Sequence, residues 1–222
     1  MIPDFFISSI LYFAAFLGII FAYYQYSLNS ETPIVSKSGR SHEEEMKEIT
    51  PLMAASRPAG NGIETETTKM REIHAAISDG ASAFLSAEYT ICFGFVAVFF
   101  FIVLILVTWG ESSMKRGLLT AFAFLLGALT SMLCGYIGMT VAVFSNVRTT
   151  INCQMSGYSE GFNTAFRAGG VMGFALIGLG LLVLYTSMCF YASFYEQKDW
   201  AVVMDCIAGF GLGGSSIALF GR

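Results

Sequence analysis

Charged residues are scarce in this chain. Asp, Glu, Lys and Arg make up 13% of its 222 residues, whereas 55% of the residues are hydrophobic. Soluble domains carry about 25% charged residues, so this composition excludes an ordinary water-soluble domain and favours the bilayer as the solvent. The formal net charge is −4 at pH 7. Such an acidic balance gives no reason to expect binding to nucleic acid.

Cysteine and histidine are also few, and their spacing indicates no metal site. The five cysteines lie far apart without a Cys-x-x-Cys pair, and the two histidines stand singly. Four of the cysteines fall in apolar runs, where a thiol packs as a small apolar group. We therefore expect neither a disulfide framework nor a metal ligand set in this chain.

Long hydrophobic runs make up most of the sequence outside one polar segment. A hydrocarbon core of about 30 Å needs about 20 helical residues, and five runs of the sequence meet that length. They predict transmembrane helices at residues 1–28, 89–109, 117–144, 168–195 and 200–221. The sequence therefore predicts an all-α integral membrane protein with about five transmembrane helices.

The segment between the first two runs differs in composition. Residues 29–76 are rich in Ser, Thr, Glu and Gly and hold three of the four prolines. This composition predicts an acidic, largely disordered loop, followed by helices two to five over residues 77–222. Nine Lys or Arg residues fall on the side of this loop and three on the other. The positive-inside rule then predicts a lumenal N-terminus, with the loop and Arg222 on the cytosolic side.

Small residues recur at helical spacing inside the predicted spans, most clearly at Gly209, Gly213 and Ser216 in the fifth. In lipid, small residues let helix backbones approach closely. We expect these three positions to pack against a neighbouring helix or to line a pathway. A few charges stand at span ends, among them Asp79 and Arg148, where they either anchor the helix at the interface or face a polar partner.

Four stretches resemble the membrane-bound, ion-translocating inorganic pyrophosphatases, the vacuolar-type H⁺-pyrophosphatase family. The most specific is Gly209-Phe210-Gly211-Leu212-Gly213-Gly214-Ser215-Ser216, continuing to Arg222; the others are Ile77 to Leu85 with Glu88-Tyr89, Gly127 to Ser131 with Asn146 to Thr150, and Ala165 to Phe174. One position departs from the family, since Thr140 stands where a lysine is usual. That change removes a charge and leaves the resemblance intact.

The resemblance implies a bundle of about sixteen helices per subunit, assembled as a homodimer in the lipid bilayer. It also implies hydrolysis of pyrophosphate with Mg²⁺, and with K⁺ in some members, to drive H⁺ or Na⁺ across the membrane. For a eukaryotic source it implies a vacuolar or acidocalcisome membrane. The family's acidic and lysine-bearing substrate motifs begin after the arginine that matches Arg222. We therefore expect no catalytic residue within this chain, which we interpret as the N-terminal part of such a pump, inactive alone.

Two residues carry family roles by the same resemblance. Arg222 matches an arginine at the base of the substrate funnel that couples hydrolysis to ion entry, and Leu212 matches a leucine of the apolar constriction below it. A cationic entry followed by an apolar constriction suits a pump, because the charge sets an electrostatic barrier and the constriction excludes water.

Two alternatives belong to other classes. The first is a non-catalytic five-span protein that associates with or regulates a helix-bundle pump, for which we expect a polar tail after the last span. The second is an unrelated small channel or transporter, for which we expect an internal repeat with paired broken helices. The sequence shows no such repeat.

Overall fold

Five helices make up the part of the chain that the computed structural model describes, residues 5–31, 62–155, 157–194 and 200–220. In chain order they are α1 (Phe5–Glu31), α2 (Gly62–Glu111), α3 (Met114–Met155), α4 (Tyr158–Ser193) and α5 (Trp200–Phe220). All five are long and apolar enough to cross a membrane. The predicted all-α membrane fold with five spanning helices is therefore confirmed.

Three helices extend well beyond the apolar runs that predicted them. Helix α2 has 50 residues and α3 has 42, which correspond to about 75 and 63 Å at 1.5 Å per residue, against about 30 Å of hydrocarbon. Helix α2 includes residues 62–76, which the sequence analysis assigned to the loop. Glu, Lys, Met, Arg and Ala favour helix in that stretch, and the apolar-run criterion does not detect a polar helix. Residues 29–31 of the predicted loop form the end of α1. Residues 32–61 of that loop lie outside the described residues.

The turns between helices follow from two backbone positions. Ser112 joins α2 to α3 with a positive φ of 50°, and there Arg116 forms an ion pair with Glu111. Gly157 joins α3 to α4 with a φ of 91°, a conformation that costs an L-residue energy and that glycine adopts freely. Its carbonyl accepts a hydrogen bond from the Gly161 amide at 3.3 Å. Each turn is short, so each pair of helices is connected tightly.

The chain divides into two compact units, both of which draw on several helices. The first comprises Met1–Ile19, Leu85–Ile137 and Leu176–Arg222. Most of its buried side chains are apolar, with Phe124, Ala128 and Ala123 of α3 at the centre; Thr120 and Ser187 are its buried polar residues. Cys92 and Cys206 are buried in these clusters, where each packs with apolar neighbours.

The second unit comprises Ile20–Phe84 and Gly138–Ala175. Its interior differs from that of the first unit, because many of its buried side chains are polar. They are Asn29, His74, Ser78, Ser145, Arg148, Asn152 and Thr164. The apolar first unit matches what lipid-spanning segments require, whereas a polar interior needs internal hydrogen bonds to be stable.

Candidate functional site: the α3–α5 seam and the polar cluster

Helix α5 buries one narrow face. From Val203 onward its buried residues recur every three or four positions, as expected for one side of a helix. They are Val202, Val203, Cys206, Gly209, Gly213 and Ile217. Two of the three small residues singled out in the sequence, Gly209 and Gly213, therefore lie at the centre of a packed interface.

The partner of this face is α3, and the two backbones touch through glycine. A Cβ atom built on Gly209 would overlap the carbonyl oxygen of Thr120, and one built on Gly213 would overlap that of Phe124. From the other side, a Cβ on Gly127 would overlap the carbonyl group of Phe210. Any side chain at these three positions would push the helices apart, so the glycines fix how closely α5 lies on α3.

Apolar side chains and one tyrosine complete the seam. Ile217 packs with Phe124 and Ala128, and Val203 packs with Ala123 of α3. The buried Tyr191 of α4 donates a hydrogen bond from its hydroxyl to the carbonyl oxygen of Leu119 at 2.9 Å. Helix α3 thus contacts both neighbours: α5 packs against it, and α4 donates a hydrogen bond to it.

The structure places Leu212 and Ser216 away from the seam. The Leu212 side chain is 46% exposed, and Ser216 is half-buried with its hydroxyl donating to the Leu212 carbonyl oxygen at 2.7 Å. Asp205 is exposed and stands seven residues before Leu212, so the two lie on the same face of α5. Arg222 lies outside the described residues. The gate role of Leu212 and the coupling role of Arg222 stay predictions.

A carboxylate on an exposed face of a spanning helix is unusual. Asp205 stands five residues after Trp200, about 8 Å along the axis from the first residue of α5. A charge that meets hydrocarbon costs energy, so one on a spanning helix normally faces water, headgroups or protein. In the sequence, Asp205 is the one formal charge within the fifth apolar run, and its place in the first turns of that run predicts a position close to the headgroup region.

Arg148 is one of the seven buried polar residues of the second unit named above, which we call the polar cluster. It is 1% exposed, and its Nη1 donates to the Phe144 carbonyl oxygen at 2.8 Å. Its Cζ atom lies 3.4 Å from the centroid of the Phe144 ring, a cation–π geometry. Tyr26 of α1 stacks on the same phenylalanine at 5.1 Å between ring centroids. Two interpretations of Arg148 were open, an anchor at the membrane interface or a residue that faces a polar partner. Burial this complete does not fit a side chain that extends to the interface.

Thr164 joins three helices in the same unit. Its Oγ1 accepts a hydrogen bond from Asn152 Nδ2 of α3 at 2.7 Å, and its carbonyl oxygen accepts one from Asn29 Nδ2 of α1 at 3.3 Å. The Thr164 hydroxyl in turn donates to the Glu160 carbonyl oxygen at 2.9 Å. These bonds hold α1, α3 and α4 together through polar groups. No sequence pattern predicts these bonds, because Asn and Thr near helix ends usually face water.

No metal centre is found among the residues that the structure describes: no three His, Cys, Asp or Glu side chains gather closely enough to hold an ion. Magnesium bound to a phosphate needs several oxygen ligands held together. The described residues do not fit a magnesium pyrophosphate site, and what they supply is helix packing, buried polar contacts and the exposed face of α5.

Comparison with known proteins gives the relatives of this chain. A family model described as inorganic H⁺ pyrophosphatase matches residues 17–222. A K⁺-insensitive pyrophosphate-energized proton pump of Methanosarcina mazei is 35% identical over 69% of this chain, and a putative K⁺-stimulated pyrophosphate-energized sodium pump of Clostridium tetani is 39% identical over 69%. A K⁺-insensitive pyrophosphate-energized proton pump of Moorella thermoacetica is 39% identical over 72%.

These alignments cover most of this chain but a small share of each relative. The aligned part is 20% of the Methanosarcina and Clostridium proteins and 22% of the Moorella protein. The chain therefore spans about one fifth of the length of the curated relatives it matches. Since the family model matches nearly the whole chain, and the resemblance seen in the sequence points the same way, the chain belongs to the inorganic H⁺ pyrophosphatase family.

Proposed function

We propose that this chain is part of a pyrophosphate-energised pump, in which hydrolysis of magnesium pyrophosphate drives H⁺ across a membrane. The observation that carries the proposal is the match of the family model to residues 17–222. The five apolar helices support it, because they give the chain the membrane location that such a pump requires. In the assembled pump the chain would be the N-terminal portion of a bundle of about sixteen helices, which forms a homodimer.

Within that pump, the share of this chain is structural and ion-conducting, and hydrolysis belongs to other parts. Mg²⁺ would polarise the phosphates and activate water, but the described residues hold no ligand set for it. The glycines of the α3–α5 seam set the position of α5. They thereby orient the exposed face with Leu212, for which we propose the apolar gate, and Arg222 would couple hydrolysis to ion entry.

The transported ion is H⁺ in this proposal, and the relatives supply the alternative. The Methanosarcina and Moorella relatives are named proton pumps and the Clostridium relative a sodium pump, at similar identity to this chain. The same names divide between K⁺-insensitive and K⁺-stimulated pumps. The transport assay therefore also tests whether activity depends on K⁺ and whether Na⁺ is transported. We further propose a lumenal N-terminus, and a vacuolar or acidocalcisome membrane if the source is eukaryotic.

The experiment uses native membranes and an antibody raised against residues 43–71. Immunodepletion of the solubilised membranes should remove Mg²⁺-dependent pyrophosphatase activity together with the chain. Vesicles rebuilt from the eluted fraction should acidify when pyrophosphate is added, which a pH-sensitive dye reports, with and without K⁺ and Na⁺. Depletion of the chain with no loss of pyrophosphatase activity would contradict the proposal. Hydrolysis without movement of either H⁺ or Na⁺ would contradict the pump.

A further inference from the structure

An exposed aromatic stripe runs along the first half of α4. Tyr158, Phe162 and Phe166 follow one another at intervals of four residues, and their side chains are 83%, 58% and 72% exposed. The rings of Phe162 and Phe166 are stacked, with centroids 6.0 Å apart and planes inclined by 20°. Gly169 continues the same line, and no atom lies within 4 Å of the place its Cβ would take. We call these four residues the α4 stripe.

The other face of α4 is already packed. Gly161, Thr164 and Ala168 are buried, and the Cys153 side chain of α3 occupies the space beside Gly161. The hydrogen bonds of Thr164 to Asn29 and Asn152 lie on this same side. The α4 stripe is therefore a second face, which the described residues leave uncovered.

The hydrocarbon core is too thin to cover the whole of helix α4. Helix α4 has 36 residues, about 54 Å in length, whereas the hydrocarbon core is about 30 Å thick. The apolar run of α4 begins near residue 168, so Tyr158 and Phe162 lie in the part that projects beyond the hydrocarbon. Exposure of the stacked phenylalanine rings to water is unfavourable in free energy. Large exposed apolar surfaces of this kind mark protein contacts.

We infer that the α4 stripe is the docking face for a helix supplied by the four fifths of the family's length that this chain does not span. The spacing of four, four and three residues makes a seam one helix wide. The open position at Gly169 allows a second backbone to approach closely near the membrane surface. The relatives carry the additional chain that would fill the seam, since this sequence matches only 20% of their length. This inference rests on the proposed function.

Photocrosslinking tests the occupant directly. The chain would carry benzoylphenylalanine at position 162 or 166 and be expressed with a tagged polypeptide comprising the unmatched part of the Clostridium tetani relative. Irradiation should give an adduct whose mass is the sum of the two chains. The control is the same amino acid at Phe101, an exposed position within the apolar run of α2, which should crosslink to lipid alone.

Two substitutions give a second readout by co-purification. Phe166→Lys should lower recovery of the tagged polypeptide at least about tenfold, because it places a charge in the seam. Glu160→Lys, at an exposed position on the opposite side of the helix from Phe162, should change recovery less than about twofold.

The outcomes separate this inference from the proposed function. An adduct of twice the 24.1 kDa of this chain would show a second copy on the stripe and overturn the inference. So would an unmodified pair that hydrolyses pyrophosphate yet gives no adduct at 162 or 166, and in that case the pump would stand. An adduct between the two chains, with no pyrophosphatase activity in native membranes, would support docking at the α4 stripe and contradict the proposed pump function.

Discussion

Gly213 of α5 lies so close to the carbonyl oxygen of Phe124 in α3 that even a methyl group on its Cα would overlap it. Phe124 is itself fully buried. A tight contact between two backbones leaves no flexible side chain that could move aside. The α3–α5 seam is thus defined by the absence of side-chain atoms, and this makes it sensitive to the smallest substitution.

Gly213→Ala should destabilise the chain by about 1–3 kcal/mol, since the new Cβ forces α5 away from α3. The matched control is Gly211→Ala, two residues away, where no atom lies within 4 Å of the new Cβ. There alanine should be neutral or stabilising by up to about 1 kcal/mol, because it favours helix over glycine. Thermal unfolding in detergent measures both. Equal midpoints for the two variants would contradict the seam.

Arg148 should be needed as an arginine. Its guanidinium lies over the Phe144 ring and donates to the carbonyl oxygen of the same residue. An ammonium group cannot reproduce that planar contact. Arg148→Lys should therefore cost about 2–4 kcal/mol of stability. Arg116→Lys serves as the control, because Arg116 and its partner Glu111 are 38% and 44% exposed and such a pair contributes about 1 kcal/mol or less.

The contact of Thr164 with Asn152 gives a prediction at a single hydroxyl. Thr164→Val keeps the shape of the side chain and removes the acceptor that Asn152 Nδ2 uses at 2.7 Å. The amide group of Asn152 is then left buried without that partner, which should cost about 1–3 kcal/mol. Thr164→Ser keeps the hydroxyl and should recover most of the stability. A double-mutant cycle with Asn152→Ala would measure the coupling, and a coupling energy near zero would contradict the bond.

The sequence predicted the number and kind of helices because each apolar run exceeds the thickness of the hydrocarbon core. It did not predict where α2 begins, since a polar helix such as residues 62–76 carries no apolar run. The small residues Gly209 and Gly213 predicted close packing of α5 against another helix. They did not predict that this helix is α3, because glycine spacing indicates how closely a neighbouring helix approaches and not which helix it is. The burial of Arg148 depends on Phe144 and on packing between helices, which no local pattern encodes.

Exposure of Leu212 leads to a prediction about coupling rather than stability. Its side chain is 46% exposed on the face of α5 that turns away from α3, so Leu212→Asn should leave the unfolding temperature nearly unchanged. In the assembled pump, an amide at an apolar constriction would admit water where the leucine excludes it. Pyrophosphate hydrolysis should stay within about twofold of the unsubstituted pump while ion transport falls by about tenfold.

The matched control for that prediction is Leu219→Asn. Leu219 is 73% exposed and stands seven residues further along α5, on the same face as Leu212. If any polar group on this face reduces coupling, the two variants should show the same loss of ion transport per pyrophosphate hydrolysed. If Leu212 is the constriction, Leu219→Asn should retain transport, because a gate excludes water at one level of the pathway. Dye quenching in vesicles, divided by phosphate release in the same sample, gives the coupling ratio that separates the two cases.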